Sequence, residues 1–118
     1  MKSVKAELVI KIHRITGLPI TEAKRFLQES SEELIERIIE AAKYQSDEPY
    51  LTDPIEDDDI HGKLVKKVLK EISERETKDG YSRGTCHRIW KHTKERLKKE
   101  HNITWFSPAE LNPGACFG

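Results

Sequence analysis

Apolar residues recur at helical spacing near the start of the chain and predict an amphipathic helix over about residues 3–15. The stripe that this helix would bury consists of Val4, Leu8, Ile12 and Ile15. The following sequence, from Thr16 to Pro19, predicts a stop: Gly17 suits a left-handed position after a helix, and Pro19 cannot continue one.

Residues that favour helix starts predict two further helices before residue 45. Thr21 is expected to cap a short second helix that buries Ala23, Phe26 and Leu27. Ser30 and Glu33 form a capping-box pattern, which predicts a third helix from there to about residue 44. Its inward positions would be Leu34, Ile35, Ile38, Ile39 and Ala42.

Helical periodicity returns near residue 60 and predicts two longer helices, over about 60–76 and 85–101, with a loop around Gly80 between them. The first would bury Leu64, Val65, Val68, Leu69 and Ile72, and the second Cys86, Ile89, Trp90, Thr93 and Leu97. Ser107, Pro108 and Glu110 then predict one capped helical turn. We expect Trp105, Phe106 and Leu111 to fold back onto the fourth and fifth helices.

The predicted fold class is therefore all-α. Residues 1–45 form a three-helix module, residues 46–59 a linker, and residues 60–118 a helical hairpin closed by an aromatic tail. The linker holds two prolines, seven acidic residues and no Lys or Arg, so we expect it to be solvated. The pattern leaves open whether the two helical parts pack as one globule.

Charge divides the chain into two halves of opposite sign. Residues 1–61 carry 8 Lys/Arg against 14 Asp/Glu, and residues 62–118 carry 13 against 7, which gives −6 and +6. Such polarity is typical of a protein that selects partners by surface charge. It also suggests that the acidic linker docks on the basic helices of its own chain.

Composition favours a cytosolic protein. No apolar run approaches the roughly 20 residues that span a bilayer, and the start of the chain shows no secretory pattern. Cys86 and Cys116 are expected to be reduced thiols in that compartment.

The stretch from Ala6 to Lys43 resembles the N-terminal ubiquitin-associated-like (UBA-like) domain of bacterial elongation factor Ts and of nascent-chain-binding proteins. The resemblance is carried by Thr16-Gly17, by Ala23-Lys24 and by Leu27. It implies a three-helix bundle that binds another protein, through the turn after the first helix. The chain departs from the family pattern at Pro19 and Phe26, so the family's partner does not carry over.

A second resemblance covers residues 54–84, which look like the last helix and tail of immunity proteins that neutralise nuclease bacteriocins. It implies an acidic inhibitor of a basic nuclease. The paired tyrosines of that family are absent, since Leu51 and Thr52 follow Tyr50. Residues 84–118 form a motif-like block to which no family is assigned.

Cysteine and histidine residues in the C-terminal part were considered as metal ligands or as a nucleophile with its base. Their spacing matches no zinc template, and the adjacent Cys86 and His87 do not face each other on a helix. We therefore expect no enzyme activity, no metal and no cofactor. The residues concerned are Cys86, His87, His92, His101 and Cys116.

The predicted function is that of a small protein-binding adaptor, associated with the translation machinery. Its expected contact surface is the turn of Thr16, Gly17, Leu18, Pro19 and Ile20, with the exposed end of the third helix. An alternative is RNA or other nucleic-acid binding through the basic face of the fifth helix. That face carries Arg88, Lys91, Lys94, Arg96, Lys98 and Lys99. The third hypothesis is an immunity-type inhibitor of a toxin nuclease.

Overall fold

The computed structural model describes residues 4–45 and 49–115. Over these residues the chain forms six α-helices and one 3-10 turn and contains no strand, which confirms the all-α prediction there. The helices are α1 (Ala6–Thr16), α2 (Ile20–Glu29), α3 (Glu32–Tyr44), α4 (Gly62–Glu76), α5 (Thr85–His101) and α6 (Pro108–Leu111), and the 3-10 turn is Pro54–Asp57.

Several predicted helix ends are confirmed by their backbone geometry. Gly17 follows α1 with φ of 77°, a left-handed conformation that glycine adopts without steric cost. The helix α5 has the predicted bounds. At α6, the Ser107 hydroxyl accepts from the Glu110 backbone N–H and the Glu110 side chain accepts from the Ser107 N–H, which is the expected capping box.

Two predicted caps are wrong. Helix α3 is capped by Ser31 rather than Ser30, because the Ser31 hydroxyl lies 3.2 Å from the Leu34 backbone nitrogen. Helix α2 begins at Ile20, one residue before Thr21, with Pro19 as its N-cap and no side-chain cap.

Helix α4 also starts two residues later than predicted, at Gly62. A turn held by Asp58 precedes it, since the Asp58 carboxylate accepts from the Ile60 and His61 backbone N–H groups. These bonds and the His61 side chain lower the pKa of Asp58.

A Cβ at Gly62 would lie 2.6 Å from the Glu56 carbonyl oxygen, so only glycine allows α4 to start this close to the 3-10 turn.

The core consists of two apolar clusters. The first joins α1, α2 and α3 with three residues from elsewhere in the chain, Leu51, Phe106 and Leu111. The second joins α4 and α5, whose stripes of Val65, Val68, Ile72, Ile89 and Leu97 are buried against Ile103 and Trp105. Each cluster thus contains residues of the C-terminal tail.

The prediction that Trp105, Phe106 and Leu111 all pack on the fourth and fifth helices is correct only for Trp105. Phe106 and Leu111 enter the α1–α3 cluster instead. The tail runs between the two clusters, so Trp105 packs in the α4–α5 cluster and the adjacent Phe106 packs in the α1–α3 cluster. Trp105 and Phe106 are buried, with 1% and 6% exposure.

Asp53 lies between the clusters and overturns the prediction of a solvated linker at its own position. Its carboxylate is 0% exposed, and the Arg37 guanidinium lies 2.7 Å from it. The same carboxylate accepts from the backbone N–H groups of Ile55 at 3.0 Å and Phe106 at 2.8 Å. One buried acid therefore fixes α3, the 3-10 turn and the tail together.

Further hydrogen bonds join the segment after α3 to the rest of the chain. The Asn112 side-chain amide bonds with both backbone groups of Leu51, each at 2.8 Å. The Trp105 indole N–H donates to the Glu56 carboxylate at 3.1 Å. The two oppositely charged parts of the chain are thus connected by buried polar contacts as well as by the tail.

Candidate binding surfaces

An open groove with a volume of about 500 Å³ runs between α1 and α3. Its floor is apolar, and Ile10 is 45% exposed at its edge. The apolar side chains that line it are Ile10, Ile15, Ile39 and Ala42, and the charged ones are Glu7, Lys11, Arg14 and Lys43. Three of these four charged groups are cations.

A second groove, of about 360 Å³, continues along the same two helices toward the start of α1. Ile39 lines both grooves, so the two grooves adjoin at this residue. The other apolar residues here are Val4, Leu8, Leu27 and Ile35, and the charged ones are Lys5, Glu32 and Glu36. We call the two grooves together the α1–α3 groove.

The two ends of the α1–α3 groove differ in charge. Lys11, Arg14 and Lys43 outweigh Glu7 at one end, whereas Glu32 and Glu36 outweigh Lys5 at the other. Among the described residues, the three cations form no salt bridge that would neutralise them. The groove therefore offers an apolar floor with a basic end and an acidic end.

The predicted contact turn is only partly available. Gly17, Pro19 and Ile20 are exposed, and Ile20 presents 48% of its surface. Thr16 is engaged locally, since its hydroxyl donates to the Ile12 carbonyl and accepts from the Leu18 N–H. Leu18 is half-buried against the α1–α3 cluster.

The C-terminal segment also lies against this turn. A Cβ at Gly114 would approach the Thr16 carbonyl oxygen to 2.9 Å and a Leu18 methyl group to 3.6 Å. The described part of the tail thus covers one side of the turn. At the end of α3, the other part of the predicted contact surface, Ala42 and Lys43 line the groove, which the sequence pattern did not indicate.

Half of the cations on the basic face predicted on α5 pair with acids of the same half of the chain. Lys94 lies 2.7 Å from Glu110 and over the Phe106 ring at 4.6 Å. Arg96 pairs with Glu71 at 2.9 Å and with Glu100 at 3.2 Å.

Arg88 lies 3.7 Å from Glu76. Of the six predicted nucleic-acid contacts, only Lys91, Lys98 and Lys99 are exposed without a salt bridge in the described chain.

A lysine stripe on α4 is the more continuous basic surface. It consists of Lys63, Lys66, Lys67 and Lys70, which are all exposed. Lys66 lies 3.6 Å from Asp57, which is the contact by which the acidic segment reaches a basic helix. The spacing of these lysines is visible in the sequence, but the absence of a salt bridge at Lys63, Lys67 and Lys70 in the described chain is not.

The cysteine and histidine residues of the described chain have the following surroundings. No three side chains among His, Cys, Asp and Glu of residues 4–45 and 49–115 are placed to hold a metal ion together. His92 lies 3.5 Å from Glu76, and Cys116 falls outside the described residues. A hydrogen bond with Cys86 raises the pKa of Tyr81.

Comparison of the chain with protein-family models, with curated proteins and with solved structures found no match. None of the helices in the described residues has the length and apolar character needed to cross a membrane. Function must therefore be argued from the surfaces themselves.

Proposed function

We propose that this chain is a non-catalytic protein-binding protein whose α1–α3 groove receives its partner. The observation that supports this is a pair of adjoining grooves with apolar floors between two helices, one of them bordered by cations that form no salt bridge in the described chain. Apolar surface that is contiguous and rimmed by polar groups marks interaction sites, because burying it against a partner is favourable. The resemblance to UBA-like domains supports the same class of function, and we propose that α1–α3 form such a bundle.

The experiment is site-specific photocrosslinking with the full chain in a lysate of its own host. A benzoylphenylalanine at position 10, on the groove edge, should crosslink to a protein partner, and the adduct should survive nuclease treatment. The matched control places the same group at position 98, an exposed site on α5. Ala42→Glu, which puts a charge on the apolar floor, should abolish the adduct at position 10 while circular dichroism shows an unchanged fold.

Equal labelling from positions 10 and 98, or no protein adduct from position 10, would overturn the proposal. Identification of the adduct by mass spectrometry would show whether the partner belongs to the translation machinery.

A second candidate function is polyanion binding through the α4 lysine stripe. The observation that favours it is that Lys63, Lys67 and Lys70 are exposed and form no salt bridge in the described chain, whereas three of the six predicted cations of α5 are paired with acids. Binding to single-stranded RNA should then weaken steeply with salt, because each neutralised phosphate releases counterions. Charge reversal of these three lysines should remove the affinity, whereas Lys98→Glu/Lys99→Glu should retain most of it.

A further inference from the structure

We propose that the occupant of the α1–α3 groove is an amphipathic helix with its acidic residues gathered at one end. This inference rests on the proposed function and adds the chemistry of the partner. It is carried by three features: the shape of the groove, its apolar floor and the unequal charge of its two ends.

The shape of the groove favours a helix. The described residues contain no strand and hence no sheet edge on which an extended peptide could add. The lining residues run from Val4, just before α1, to Ile15 near its end, and the helical part from residue 6 to residue 15 is about 14 Å long at the helical rise per residue. A partner helix of about three turns would cover this length and would present apolar residues at positions i, i+3 or i+4, and i+7.

The basic end determines which charges the partner should carry. Lys11 and Arg14 from α1 meet Lys43 from α3 there, and none of the three is neutralised by a salt bridge within the described chain. Carboxylates placed beside the partner's apolar stripe would meet these cations at the edge of an apolar surface, where electrostatic complementarity favours the correct pairing.

The acidic end of the groove disfavours a partner helix that carries acidic residues along its whole length. Glu32 and Glu36 border the groove near the start of α3, and residues 1–61 carry a net charge of −6. An acidic group over this end would face like charges, which disfavours the complex. The partner's acids are therefore confined to the turn that lies over Lys11, Arg14 and Lys43.

The test uses three synthetic fluorescein-labelled peptides and the full chain, measured by fluorescence anisotropy. The first is an amphipathic helix with a leucine stripe and glutamates in one terminal turn. The second has lysines in place of these glutamates. The third has the composition of the first in a scrambled order that destroys the stripe. The first should bind at least about tenfold more tightly than either of the others, a difference of roughly 1.4 kcal/mol.

Reversing the charges at the basic end of the groove should reverse which of the two charged peptides binds more tightly. Lys11→Glu/Arg14→Glu should weaken the binding of the peptide with glutamates and strengthen the binding of the peptide with lysines. The matched control is Lys98→Glu/Lys99→Glu, which changes the net charge equally on exposed positions of α5 and should alter neither affinity. Circular dichroism of each variant would establish that the fold is retained.

The outcomes separate this inference from the proposed function. Equal binding of the acidic and basic peptides, lost in Ala42→Glu, would overturn the partner chemistry and leave the groove as a binding site. A preference that the α1 charge reversal leaves unchanged would also overturn the inference. Failure of all three peptides would overturn the helical partner, and absence of a crosslink from position 10 would in addition overturn the proposed function.

Discussion

Asp53 shows how a single side chain can connect distant parts of a small protein. Its carboxylate is fully buried and accepts from the Arg37 guanidinium and from two backbone N–H groups. We expect Asp53→Asn to lower the free energy of unfolding by about 3 kcal/mol, because it removes the buried partner of Arg37, whose other acid, Glu33, is exposed and lies 3.5 Å away. Urea unfolding at neutral pH, followed by circular dichroism, would measure this change.

Asp59→Asn provides the matched control for this prediction. Asp59 belongs to the same acidic segment but is exposed, so its amide variant should lie within about 0.5 kcal/mol of the original protein. Similar small effects at both positions would show that the Asp53–Arg37 pair contributes little to stability.

Glu56 should make the stability depend on pH. Burial raises its pKa above the ordinary value of 4.5, although the hydrogen bond from Trp105 acts in the opposite direction. The folded protein thus binds this proton more tightly than the unfolded chain does. The contribution to the free energy of unfolding is therefore present at low pH and is lost as pH rises through the raised pKa.

Glu56→Gln removes this ionisation and keeps an oxygen that can accept from the Trp105 indole. The variant should gain stability relative to the original protein as pH rises from the ordinary carboxyl pKa of 4.5 through the raised pKa of Glu56. Urea unfolding of both proteins across this range gives the difference directly. A constant difference at every pH would contradict the assigned role of Glu56.

At the scale of the elements, the sequence predicts those features that depend on residues close to one another along the chain. The left-handed Gly17 and the α6 capping box both involve residues within a few positions of one another, and both are confirmed. In the predicted stripe of α5, Ile89, Thr93 and Leu97 are buried, whereas Cys86 and Trp90 are only half-buried.

The predicted start of α3 is wrong by one residue, because Ser30 fits the capping-box pattern with Glu33 whereas Ser31 caps the helix without such a Glu partner. The hydrogen bond from Leu34 to Ser31 identifies the cap.

Contacts between elements lie beyond such local patterns. Arg37 and Asp53 are 16 positions apart, and Asp53 and Phe106 are 53 apart, so no periodicity connects them. The same limit applies to the candidate surfaces. Lys11 and Arg14 were visible as polar positions of the first helix, but their meeting with Lys43 depends on how α1 packs against α3.

At the scale of the whole molecule, the two apolar clusters are expected to unfold together. A unit of about 60 residues buries too little surface to be more than marginally stable alone. Here the tail places Trp105 in one cluster and Phe106 in the other, and the Asp53–Arg37 pair lies between them. A substitution that destabilises one cluster should therefore also destabilise the other.

The positions of the tryptophans allow this coupling to be tested. Trp90 and Trp105 both belong to the α4–α5 cluster, so tryptophan fluorescence reports on that cluster alone. Ile38→Val, in the fully buried part of α3, should cost about 1 kcal/mol through the lost methyl group. We expect the urea midpoints from fluorescence and from circular dichroism to fall together, since two-state unfolding gives coincident transitions.

Ile10→Val makes the same chemical change at a groove residue that is 45% exposed, and it should shift both midpoints far less. If Ile38→Val lowered the circular dichroism midpoint while the fluorescence midpoint kept its original value, the α1–α3 cluster would unfold independently. The tail and Asp53 would then join two separately stable modules. Coincident shifts would instead mean that a partner bound in the α1–α3 groove also stabilises α4 and α5, because ligand binding to the folded state shifts a shared unfolding equilibrium.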